Sequence, residues 1–162
     1  MILRIANEED RKQLPKLFDT LDNENPLPAG KRERFSTVVL PEDNGFLAVA
    51  EDENGLFGFI SVNSAEDFDV MLGIDEKHQN RGIAKMLFAM LEDWAFENHV
   101  EYARATIHEA SRLPLHVFAR HGFEGARRDG EMLTLTKTFS DQPRYVTPVV
   151  SANELLNWPF TD

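Results

Sequence analysis

The strongest constraint on this chain is a change of hydrophobic period in its middle. Phe68–Ile74 alternates as a strand does, Ala84–Asn98 places Leu87, Phe88, Leu91, Trp94 and Ala95 on one broad helical face, and Tyr102–His108 returns to strand. A period of two that gives way to 3.6 and then returns marks an α/β arrangement.

The flanking sequence extends the pattern. Ile2–Ile5 reads as a short opening strand, and Asn7 can cap a helix whose first turn holds Glu8, Glu9 and Asp10, acids suited to the positive end of a helix dipole. Leu14, Leu17, Phe18 and Leu21 form an apolar stripe, within which Pro15 demands a kink or a late helix start. Asn25–Gly30 is a proline-containing loop and Lys31–Thr37 a second short helix. Phe46–Ala50 and Leu56–Val62 form a hairpin around Glu53, Asn54 and Gly55. Later, Ser111 can cap a further helix that tolerates Pro114 in its first turn and ends at Gly122, and Met132–Phe139 is a closing strand. The expectation is an α/β (α+β) domain: a central mixed, mostly antiparallel sheet of six or seven strands flanked by about four helices. The hairpins exclude a doubly wound, all-parallel sheet.

Composition narrows the function classes. With 162 residues, 42% hydrophobic and 28% charged, the chain has the make-up of one soluble globular domain. It has no cysteine, which excludes disulfides, thiolate metal sites and a cysteine nucleophile and fits a reducing cytoplasm. No apolar run approaches the roughly 20 residues that span a bilayer, and Met1–Ile5 is followed at once by acids rather than by a signal-peptide core. A soluble, cytoplasmic protein without membrane contact is expected. The formal charge of −11 argues against nucleic acid as a partner. It either favours cationic partners or serves solubility alone.

One stretch departs from this acidity. Lys77–Lys85, KHQNRGIAK, carries Lys77, Arg81 and Lys85 and no acid. It joins a strand to a helix, where backbone N–H groups lack intrahelical partners and the dipole adds positive charge. Gly82 allows close approach of an anion and Ala84 keeps the helix start narrow. A diphosphate site and a plain strand-to-helix turn both fit these residues.

The same residues resemble a family. Gln79-Asn80-Arg81-Gly82-Ile83-Ala84 is similar to the Gln/Arg-x-x-Gly-x-Gly/Ala signature of the GNAT N-acetyltransferase superfamily, and Phe118-Ala119-Arg120-His121-Gly122-Phe123 resembles its Tyr-x-x-x-Gly-Phe. The resemblance covers residues 1–139 and implies a GNAT-like acyltransferase domain there. It also implies acetyl-coenzyme A as cosubstrate, bound at Gln79, Asn80, Arg81, Gly82, Ile83, Ala84 and Lys85, with Ser111 and Phe118 nearby. The main chain of Leu72, Gly73 and Ile74 would pair with the pantetheine arm, and an amide near Leu72 would polarise the thioester carbonyl. The implied reaction is direct transfer of an acetyl group to a primary amine on a small molecule or peptide. The alternative is a noncatalytic acyl-coenzyme A-binding regulatory module.

Several positions depart from the family pattern. Glu76 stands where a proline is usual, and Ser111 where an asparagine often precedes the helix. Phe118 replaces the tyrosine that protonates the departing thiolate. The family's glutamate falls at Phe68, so Asp69 (with Asp67 beside it) and His108 (with Glu109) are the candidate bases. The remaining histidines, His78, His99, His116 and His121, show no metal-ligand spacing, and no metal is expected. The extension 140–162 carries Leu155, Leu156, Trp158 and Phe160, a cluster expected to pack on the domain or across a homodimer interface.

Overall fold

Asn7 decides how the chain leaves its first strand. In this computed structural model, which describes residues 1–24, 35, 45–63 and 68–139, strand β1 (Ile2–Ile5) is followed by a 3-10 turn, Glu8–Lys12. The Asn7 side chain accepts from Glu9 N–H at 3.0 Å, and Asn7 N–H donates to the Asp10 carboxylate at 2.7 Å, closing a capping box. Arg4 donates to both Asp10 oxygens at 2.9 Å and to Glu51 at 2.8 Å. Its guanidinium holds the buried Asp10 carboxyl below the usual carboxylate range. Helix α1 (Leu14–Glu24) then begins late, with Pro15 in its first turn, where a missing N–H breaks no intrahelical bond.

The expected loop at Asn25–Gly30, the helix at Lys31–Thr37 (Phe35 excepted), Asp67 and the extension 140–162 lie outside the described residues. The expected hairpin is β2 (Phe46–Asp52) with β3 (Gly55–Asn63), in register from Phe46–Val62 to Asp52–Gly55. Next come β4 (Asp69–Ile74), a 3-10 turn at Glu76–His78, α2 (Ile83–Glu97), β5 (Tyr102–His108), α3 (Arg112–Arg120), β6 (Glu124–Asp129) and β7 (Met132–Thr138). The seven strands form one mixed sheet in the order β1-β2-β3-β4-β5-β7-β6. β4 and β5 are parallel, with Asp69 opposite Arg104, and the other registered pairs are antiparallel. Among the described residues, no helix is long and apolar enough to cross a membrane.

Three local expectations need correction. Phe68 is not in the strand: its φ is +57°, and β4 starts at Asp69. Ser111 occupies the N-cap of α3, but its side chain makes no capping hydrogen bond. β6, EGARRD, was not expected as a strand, because its charged run lacks alternation. Among the described residues it pairs with β7 alone, and an edge strand tolerates charges that a central strand would not.

The contacts divide the chain into two compact units, one of Met1–Ser64 with Met71–Leu91 and one of Ala65–Val70 with Glu92–Asp162. In the first unit, Leu14, Leu17, Phe18 and Leu21 of α1 pack with Phe35, Leu47, Val49 and Phe59. Phe18 and Phe35 meet Phe59 edge to face, with centroids 5.2 and 5.6 Å apart. Gly73 serves this packing: a Cβ there would stand 2.5 Å from Leu21 and 2.9 Å from Phe59. In the second unit, Ala103, Ala105 and Ile107 of β5 and Leu133 and Leu135 of β7 are buried with Leu115 and Phe118 of α3. Lys137 and Glu92 form a buried ion pair there, and Lys137 Nζ also donates to the His121 carbonyl at 2.6 Å.

Candidate functional site

The junction from β4 to α2 is shaped by backbone that only certain residues adopt. Asn80 and Gly82 lie in the left-handed region, at φ +63° and +79°. Asparagine tolerates this conformation and glycine is free to adopt it, so the chain turns sharply before the helix. A Cβ on Gly82 would meet nothing within 4 Å, so the space beside this glycine is open. The Gln79 side chain donates to the Ile74 carbonyl at 3.0 Å and ties the loop back to the strand it left. Ile83, 1% exposed, anchors the helix start in the core.

The N–H groups of Ile83, Ala84 and Lys85 lie ahead of the helical ladder, whose first bond runs from Met86 N–H to the Gly82 carbonyl at 3.3 Å. The first turn of α2 contains no acid. Arg81 and Lys85 are exposed, and Asn80 and Gly82 with them. A dipole end, open backbone donors and two cations therefore share one accessible loop. Such an arrangement has the charge and the donors that suit an anion.

The loop is held from behind by groups that reading the sequence passed over. Asp75 caps the 3-10 turn, its carboxylate accepting from His78 N–H at 3.1 Å. Its backbone N–H donates to the Phe57 carbonyl at 3.0 Å. The His78 ring lies between Asp75 and Asp52, with contacts of 2.5 and 2.9 Å, and stacks on Phe57. The Asp75–His78 spacing was visible in the sequence; Asp52 and Phe57, from β2 and β3, were not.

The candidate bases do not form one constellation. Asp69 lies opposite Arg104, and His108 is four residues farther along β5, about 13 Å at the usual strand rise. Asp69 is half-buried at the start of its strand. His108 is buried; its Nδ1 accepts from Ala110 N–H at 3.0 Å, and Nε2 lies 3.1 Å from Glu131. Both ring nitrogens are thus engaged within the protein. Phe118 is 3% exposed and meets Phe123 edge to face at 5.0 Å, as a core residue does. Leu72 and Ile74 are half-buried on β4, and Ser111 is half-buried ahead of α3.

Known structures share this fold. A protein provisionally assigned as a phosphinothricin N-acetyltransferase superposes with a TM-score of 0.61 at 25% identity, over 86% of this chain and 98% of that one. The PaiA N-acetyltransferase of Thermoplasma acidophilum, solved with coenzyme A, gives 0.69 at 16% identity, over 86% and 100% of the two chains. A provisionally assigned acetyltransferase of Salmonella typhimurium, solved with acetyl-coenzyme A, gives 0.66 at 14%, over 91% and 97%. No curated protein sequence matches the chain. The sequence profile of the Acetyltransferase (GNAT) family matches residues 6–123, from just after β1 through the end of α3. The chain belongs to the GNAT acetyltransferase family.

Proposed function

We propose that this protein moves an acetyl group from acetyl-coenzyme A directly to a primary amine on a small molecule or peptide. The observation that carries this reading is the opening of α2, with its donors ahead of the ladder, the space beside Gly82 and the cations Arg81 and Lys85. The backbone of Gln79–Ala84 would hold the pyrophosphate, with Asn80 and Lys85 at its edges. Coenzyme A and acetyl-coenzyme A in the solved Thermoplasma and Salmonella proteins support that assignment. The main chain of Leu72, Gly73 and Ile74 would take the pantetheine arm as an added strand, and an amide near Leu72 would polarise the thioester carbonyl.

In the proposed step the amine nitrogen attacks the thioester carbon, the C–N bond forms and the C–S bond breaks. The amine proton goes to a base and the sulfur leaves as thiolate. Phe118 has no proton to donate, so water or a neighbouring group protonates the thiolate. A thiol with a pKa of about 8.5, by analogy with cysteine, leaves without a dedicated acid. Catalysis then rests on orientation and carbonyl polarisation. Asp69 and His108 are the two candidates for that base, and both ring nitrogens of His108 are engaged within the protein. Cytoplasmic residence and pairing as a homodimer remain part of this reading on sequence grounds.

Burial of Phe118 against Phe123 favours a second reading, a noncatalytic acyl-coenzyme A-binding module that regulates a partner. Thiol release from acetyl-coenzyme A across a panel of amines separates the two. Amine-dependent release supports the enzyme. Binding without release supports the module, and absence of binding overturns both.

A further inference from the structure

Both ring nitrogens of His78 face carboxylates. Nδ1 lies 2.5 Å from Asp75 Oδ1, and Nε2 lies 2.9 Å from Asp52 Oδ2. The ring stacks on Phe57 with centroids 3.8 Å apart and planes inclined by 12°. An ionised carboxylate only accepts hydrogen bonds, and a neutral imidazole has one N–H. Between two ionised partners, both contacts are hydrogen bonds at once only when the ring is an imidazolium. In the neutral ring, one nitrogen lone pair would face an oxygen lone pair.

The surroundings favour the charged form. Burial opposes it, but the hydrogen bonds to Asp75 and then Asp52 outweigh burial and raise the His78 pKa above the ordinary histidine value. Asp52 comes from the end of β2 and Asp75 from the cap of the turn that follows β4, while β3 contributes the uncharged Phe57. Glu76 and Lys77 are exposed neighbours on the same turn. From α1, the Glu24 carboxylate accepts from Glu76 N–H at 3.2 Å, and burial raises its own pKa.

This clamp stands at the base of the anion loop. His78 closes the 3-10 turn, and the next residue, Gln79, begins the loop and ties it to Ile74. We propose that His78 is a positioning residue for coenzyme A: as an imidazolium joining Asp52 to Asp75, it fixes the departure of the Gln79–Ala84 loop and offsets two carboxylates next to the diphosphate. The proposal rests on the reading of that loop as the diphosphate site. Loss of the proton converts one contact into a repulsion and makes the net charge of the three groups more negative, from −1 to −2. Coenzyme affinity is therefore highest at low pH and falls as pH rises through the raised pKa. The clamp's contribution to folding has the same sign. It is full below the unfolded imidazole's pKa, about 6.5, and is lost as pH rises through the folded value.

The test is calorimetric binding of 3′-dephospho-coenzyme A between pH 5.5 and 8.5, a probe without the phosphomonoester, whose second ionisation falls at about pH 6. Wild-type affinity is expected to fall about three- to tenfold from pH 6 to 8.5. His78→Gln is expected to bind at the wild type's high-pH level throughout, with no slope. Asp52→Asn keeps the low-pH affinity, and its transition moves to lower pH because one partner of the imidazolium has lost its charge. If His78→Gln keeps the wild-type slope, or the wild type has none, the clamp does not position the coenzyme. An unshifted transition in Asp52→Asn overturns the proposal even if His78→Gln does not fold. Wild-type binding with an unaltered profile in the variants leaves the coenzyme site standing. A wild type that binds nothing at any pH removes the site and the clamp together.

Discussion

His78 stands just beyond β4 and His108 is the last residue of β5, and each ring reaches a carboxylate. His78 has carboxylates on both sides, so its geometry is satisfied by two donors. His108 has a carboxylate at Nε2 and a backbone N–H at Nδ1, so one nitrogen donates and the other accepts. The difference lies in the second partner. The regions around them follow suit. The end of β5 is closed on itself, with Glu109 N–H donating to the Glu131 carbonyl at 2.8 Å and Arg128 donating to Glu109 at 2.5 Å. Beyond β4, the start of α2 has N–H groups ahead of the helical ladder and open space beside Gly82. One region keeps its polar groups for the fold, and the other has the helix-start donors that the proposed function assigns to the diphosphate.

Breaking the fold-keeping region should appear as lost stability. Lys137→Met leaves Glu92 charged and buried without its ammonium, and unfolding free energy should fall by about 3–5 kcal/mol. A denaturant midpoint within error of wild type would mean that the pair is replaceable. Gly82→Asp attacks the ligand-facing region instead. A carboxylate placed beside the diphosphate should weaken coenzyme A binding by at least about a hundredfold. Gly82→Ala, which adds only left-handed strain of about 1–2 kcal/mol, separates charge from backbone. Equal thermal shifts with coenzyme A in wild type and Gly82→Asp would place the site elsewhere.

His108→Gln sharpens the comparison directly. Disturbing the contacts to Ala110 and Glu131 should cost about 1–3 kcal/mol of stability while coenzyme A binding stays unchanged. Retained folding and binding with abolished transfer, alongside normal turnover in Asp69→Asn, would make His108 the base and undo the contrast drawn above. The smallest effect is expected at Phe118. Phe118→Tyr adds a hydroxyl to a buried ring set edge to face against Phe123, costing about 1 kcal/mol where it finds no partner. Coenzyme A affinity should hold, and turnover should equal or exceed that of wild type by no more than about tenfold. A sharp loss of turnover in a folded, binding variant would show that the phenylalanine shapes the acceptor site.

Period and backbone chemistry are local, and they were legible from residues alone. The stripe of Leu14, Leu17, Phe18 and Leu21, the late start forced by Pro15 and the apolar face of α2 appear where expected. The Gln79–Ala84 loop could be read for the same reason: a glycine, neighbouring cations and a helix start act through adjacent main chain. β6 escaped because an edge strand is defined by its partner β7 rather than by its own pattern. Gly73 looked like a coenzyme contact, but its lack of a side chain also answers to Leu21 and Phe59, which only packing brings near. His78 drew attention only as one of several histidines without metal-ligand spacing. Its clamp depends on Asp52, 26 residues away, and on the Phe57 ring beneath it. The sequence by itself determined most of the segments that become strands and helices and marked the helix start at which an anion site is proposed, because those depend on neighbours within a turn or two. Tertiary structure alone decided which histidine lies between two acceptors and which has a donor on one side, because a proton's position depends on partners that the fold brings in from distant strands.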